Sequence, residues 1–200
     1  WEYAYKGIAA VQPLWTMRAD GSGSAEVYGD NITDAGVFWQ SRQLPGKPGR
    51  AVCIGCGHEP FGVGQVLLLD PGKSKRTPAS MTSLTPNVET HGLRGLYQRR
   101  NGVLREDIFG PFYADPYPLS DKFFLVSCNP DQRYNDENAY DIYLLDTFGN
   151  RVPIYDDPEF SCWQPMPLRP RNVPPILPIQ NRGPEEPTKG ATLFVGDIYR

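Results

Sequence analysis

The chain carries one order of residues twice. Leu14-Trp15-Thr16-Met17-Arg18-Ala19-Asp20-Gly21 leads to Val27-Tyr28, then to Phe38-Trp39-Gln40 and Leu44-Pro45. Far downstream, Ile142-Tyr143-Leu144-Leu145-Asp146-Thr147-Phe148-Gly149 leads to Ile154-Tyr155, then to Cys162-Trp163-Gln164 and Leu168. Matching order at similar spacing predicts two copies of one supersecondary unit, and a unit of this kind seldom buries its own apolar face.

A shorter pattern extends the repeat. Apolar runs that end in Asp and a Gly turn occur at Met17–Gly21, Leu69–Gly72 and Leu145–Gly149. Asp at such a point accepts local backbone N–H bonds and Gly takes positive φ, so each run reads as a strand, a hairpin and a return strand. Compact apolar runs at Ala51–Ile54 and Phe123–Ser127 supply buried inner strands. The expected fold is all-β: a partial β-propeller of about three blades. A β-sandwich is disfavoured because sandwiches do not ordinarily repeat a Trp-Gln pair at matched offset.

The blade-like units are expected at 8–50, at 51–72 with an irregular insertion over 73–112, and at 113–178, with a further strand starting over 191–199. The Asp-Gly turns recur after about 50 and then about 75 residues, which puts the insertion in the second interval. Within it, Thr90–Arg100 reads as at most one helical turn, weakened by Gly92 and Gly95. Asp115–Asp121 reads as a turn leading into Lys122–Cys128. The proline-dense run Pro165–Pro178 reads as extended. Three units do not close a ring, and the chain starts at Trp1, so it reads as a piece of something longer.

Composition excludes several partners. A net charge of −3 with no basic stripe argues against nucleic acid. No stretch approaches the roughly 20 apolar residues that span a bilayer. The 21 Pro and 20 Gly among 200 residues favour turns over long helices.

One cluster has ligand potential: Cys53, Cys56 and His58. Covalent c-type haem needs Cys-x-x-Cys-His, and here Gly57 displaces the imidazole by one residue. Zinc is a second reading, with two thiolates, one imidazole and Glu59 or a distant side chain as the fourth ligand. A Cys53–Cys56 disulfide is a third, and a buried strand residue beside a shaped loop is the fourth. Cys128 and Cys162 read as small hydrophobes. Trp39 and Trp163, at matching places, read as packing between blades. Asp20, Asp70 and Asp146 read as turn residues, and the basic stretch Arg94, Arg99, Arg100 and Arg105 as a solvated loop. The only other histidine is His91, and no Ser–His–Asp or Cys–His–Asn arrangement stands out.

Leu14–Gly21, Pro45-Gly46-Lys47-Pro48, Cys56-Gly57-His58, Asp115–Ser120, Phe123–Ser127, Tyr143–Asn150 and Leu168-Arg169-Pro170-Arg171 together resemble the middle region of the hydrazine synthase alpha subunit family and related bacterial proteins of unassigned activity. The resemblance runs from about residue 10 to 199 and is weakest over 73–112. It implies a propeller akin to the periplasmic Tol-Pal one, within a large exported protein of a kind that can carry c-type haem. The expected role is structural or recognition, against other domains of the parent chain or a protein partner. The competing expectation is a periplasmic redox enzyme whose haem or zinc site other domains complete.

Overall fold

The computed structural model describes residues 4–6, 9–29, 32, 35–57, 62–88, 99–100, 103–104, 111–131, 138–170, 173 and 176. Two four-stranded antiparallel sheets dominate it, and in each the spatial order of strands is their chain order. Sheet I runs β5 (Val37–Gln43), β6 (Ala51–Cys56), β7 (Gln65–Leu69) and β8 (Met81–Ser83). Sheet II runs β11 (Phe112–Pro118), β12 (Phe123–Asn129), β13 (Asp141–Asp146) and β14 (Arg151–Tyr155). A hairpin of β3 (Leu14–Thr16) and β4 (Ala25–Tyr28) precedes them. Short pairs are made by β1 (Ala4–Lys6) with β2 (Ala9–Val11), and by β9 (Arg99–Arg100) with β10 (Val103–Leu104). The only helical piece among the described residues is a 3-10 turn at Pro78–Ser80. No helix there is long and apolar enough to cross a membrane.

The hairpin turns follow from the residues at them. Asp146 Oδ1 accepts from the N–H groups of Phe148 (2.8 Å) and Asn150 (2.9 Å), while Gly149 takes φ 84°. Asp20 Oδ1 does the same for Ser22 N–H at 3.0 Å. Asp70 differs: its carboxylate faces Arg50 at 3.4 Å and Lys73 at 3.9 Å. Gly46 and Gly49, at φ 67° and 81°, carry the chain from β5 into β6.

Strand alternation explains the layering. Val52, Ile54 and Cys56 point to one face of β6 and meet Tyr113, Phe124, Val126, Cys128 and Leu145 of sheet II. Cys53 points to the other face and joins Tyr28, Ile32, Phe38, Leu67 and Leu69 under the β3–β4 hairpin. With both faces covered, β6 needs no polar positions, which is why Ala51–Ile54 is a continuous apolar run.

The boundaries differ from the sequence expectation. Residues 50 and 51 fall at the β5–β6 turn, inside one sheet. The 3-10 turn leads into β8, which is part of sheet I, so the first sheet extends past residue 72 to Ser83. Asp115–Pro118 lies within strand β11 and does not form a turn. Residues 89–98 and 191–199 lie outside the described residues, and with them most of the expected helical turn and all of the last expected strand.

One joint recurs between successive units. Phe38 N–H donates to Gln12 C=O at 3.3 Å, Tyr113 N–H to Gly64 C=O at 3.3 Å, and Cys162 N–H to Tyr140 C=O at 2.6 Å. Gln12, Gly64 and Tyr140 lie just ahead of β3, β7 and β13. Phe38, Tyr113 and Cys162 each stand two residues before a residue of positive φ: Gln40 (54°), Asp115 (50°) and Gln164 (54°).

Candidate functional site

Those three positive-φ residues are the centre of a polar site among the described residues. A non-glycine residue in the left-handed region costs about 1–2 kcal/mol, so three at matched positions need a compensating bond. Each of the two strands that carries one is bulged there: pairing slips between Trp39 and Arg42 in β5 and between Ala114 and Tyr117 in β11. A bulge also removes the ladder donor requirement, which lets Pro116 sit in a strand.

The compensating bonds link one unit to the next. Asp115 N–H donates to Gln40 Oε1 at 2.8 Å. The backbone N–H of Gln164 in turn donates to the Asp115 carboxylate. Asp115 is only 7% exposed. Burial pushes its carboxyl above the usual carboxylate range, and the Gln164 N–H and the nearby Arg42 guanidinium pull it partly back.

Two pockets open beside this chain of bonds and share Ser41. One, about 370 Å³, is lined by Leu14, Phe38, Trp39, Gln40, Asp115 and Gln164. The other, about 390 Å³, is lined by Arg42, Gln43, Pro45, Tyr117, Pro118 and Arg169. The Arg42 guanidinium lies over the Tyr117 ring, 5.2 Å from its centroid, a cation–π contact that fixes its height in the pocket.

Asp115 and Arg169 were not singled out from sequence. The signal was present: Asp115-Pro116-Tyr117-Pro118-Leu119 and Gln164-Pro165-Met166-Pro167-Leu168 share a spacing with Gln40-Ser41-Arg42-Gln43-Leu44. The Trp39/Trp163 repeat, which was recognised, marks the same place. Trp39 packs against the core between the sheets, and Trp163 stacks on Tyr140 with ring centroids 4.0 Å apart.

The Cys53/Cys56/His58 cluster does not assemble in the described residues. Cys53 and Cys56 are free thiols on opposite faces of β6. Three residues of strand set their Cα atoms about 10 Å apart, beyond the roughly 7 Å limit for a disulfide. A shared zinc or a haem attachment on both sulfurs would require β6 to leave its pairing with β5 and β7, so the donor set does not fit either group. His58 lies outside the described residues, as do His91, Arg94 and Arg105. No cluster of three or more His, Cys, Asp or Glu side chains suited to a metal occurs among the described residues.

Burial also silences the thiols. It pushes Cys53 far up and Cys56 to about 12, and it pushes Cys128 to about 12 despite the guanidinium of Arg151 beside it. Arg151 Nη1 donates to Tyr113 Oη at 3.0 Å, within sheet II. Thiols held this far above neutral pH are poor nucleophiles. In the native protein an aromatic disulfide reagent at mildly alkaline pH should therefore label Cys162 first, and Cys53, Cys56 and Cys128 only on unfolding. Prompt labelling of three or more thiols would contradict this packing.

Comparison with solved structures finds a likeness of shape. The chain is similar to Kuenenia stuttgartiensis hydrazine synthase. The TM-score is 0.50 at 20% sequence identity, over 76% of this chain and 16% of that one. At that identity the likeness concerns the fold. This chain spans about one sixth of the length of the solved neighbour. No family model matches, and no curated protein matches by sequence.

Proposed function

We propose that these sheets are successive blades of a β-propeller in a large exported bacterial protein, and that the segment serves recognition and scaffolding. The observation that carries the reading is the joint repeated at Gln12–Phe38, Gly64–Tyr113 and Tyr140–Cys162. A bond that recurs at the same place in each unit repeats one rotation from unit to unit, and a repeated rotation sweeps sheets around an axis. Gln40 and Asp115 then lie on the innermost strands, where axial ligand sites form.

The exposed apolar residues support a further blade. Leu44, just after β5, is 2% exposed, whereas Leu168, its counterpart, is fully exposed, and Trp163 is 47% exposed. On the same reading, Leu125, Leu144 and Val152 of sheet II face the next sheet, as Val52 and Ile54 of sheet I face sheet II. Exposed apolar side chains grouped in this way mark a contact site. The Tol-Pal-like blade arrangement and the periplasmic location belong to this proposal, with the resemblance of the sequence as their support.

An experimental structure of the parent chain tests it. Three joints related by rotation about one axis are expected; joints related by translation overturn the propeller. The recognition role is tested separately by absorbance and metal content of the purified parent protein. A haem band or one zinc per chain, lost in Cys53→Ser or Cys56→Ser, would replace that role with a redox site.

A further inference from the structure

The two pockets that meet at Ser41 have linings of opposite charge. Asp115 is the one charged residue of the first, among the rings of Phe38 and Trp39 and the amides of Gln40 and Gln164. Arg42 and Arg169 are the charged residues of the second, with the Tyr117 ring and no carboxylate. Among the described residues, no ion pair within salt-bridge distance reaches Asp115, Arg42 or Arg169. The Asp115 carboxylate is held by a backbone N–H, and Arg42 is held by an aromatic face, so both keep bonding capacity toward a ligand.

We infer that this trough binds a small linear zwitterion, its ammonium end beside Asp115 and Trp39 and its carboxylate end between Arg42 and Arg169. A carboxylate beside aromatic rings and amide oxygens is the lining an ammonium group needs. Two guanidiniums present the donor geometry that a carboxylate accepts.

The inference deepens the recognition reading by naming a ligand class. It fails separately from that reading, since an intact propeller that ignores zwitterions would leave the scaffold role standing. The test is titration calorimetry on the full parent chain with ε-aminocaproate, the dipeptide glycylglycine, hexylamine and hexanoate. Saturable binding of ε-aminocaproate or glycylglycine is expected, at least tenfold tighter than that of hexylamine or hexanoate. Glycylglycine binding more tightly than ε-aminocaproate would assign the site to peptides, and the reverse to free ω-amino acids.

Two variants locate the site. Asp115→Asn keeps an acceptor for the Gln164 N–H and should cost the ammonium end tenfold or more. Arg169→Gln, at an exposed position, should cost the carboxylate end a similar factor without touching the joints. Circular dichroism and the melting temperature check that each variant stays folded. No saturable binding of ε-aminocaproate or glycylglycine, or unchanged affinity in folded Arg169→Gln, would overturn the inference.

Discussion

Replacing Phe124 with alanine should destabilise the fold by about 3–5 kcal/mol, the range for removing a fully buried phenylalanine. Phe124 has no exposed surface and sits in the cluster between the two sheets, opposite Pro118 on β11 and Leu145 on β13. Strand backbones on both sides are pinned by their ladders, so the space cannot collapse and the cavity term stays large. Domains of this size have about 5–15 kcal/mol in total, so the loss would unfold a large share of the molecules well below the wild-type melting temperature. Urea denaturation of the two proteins measures it. A difference under about 1 kcal/mol would mean that the sheets do not pack as described.

Gly64→Ala should be nearly as severe, for a different reason. A methyl group there would fall inside van der Waals contact with the Gly55 carbonyl oxygen, and 3.0 and 3.1 Å from Cys56 Cβ and Cα. Those are mostly backbone atoms of β6 and cannot swing aside. Gly64 also exchanges both of its backbone bonds with Tyr113, at 2.9 and 3.3 Å, so any shift pulls sheet II away from sheet I. Overpacking of this kind costs about 1–3 kcal/mol, and loss of the joint adds to it. Gly46→Ala is the control: its Cβ meets nothing within 4 Å, and only the φ of 67° resists the change. A melting temperature for Gly64→Ala equal to that of Gly46→Ala would refute the role given to the joint.

Both substitutions act where successive sheets meet, and the sequence foretold the meeting only in part. Trp39-Gln40 and Trp163-Gln164 marked the place, because the same junction needs the same residues. The third member, Ala114-Asp115, escaped notice: Asp followed by Pro-Tyr-Pro resembles a turn until the bulge in β11 is known. The cysteine cluster was left with four readings, a buried strand residue beside a shaped loop among them. Proximity in sequence suggested convergence, whereas a paired strand sends Cys53 and Cys56 to opposite faces.

By itself, the sequence determined that the chain is all-β and that hairpins turn at Asp20 and Asp146. Local chemistry suffices for those, since Asp and Gly act on their own neighbours and apolar alternation reports burial. Tertiary structure alone decided where each sheet begins and which side chains meet between sheets. A repeat has a period but no phase, and only the hydrogen bonds of β5 to β6, and of Gln40 to Asp115, set it.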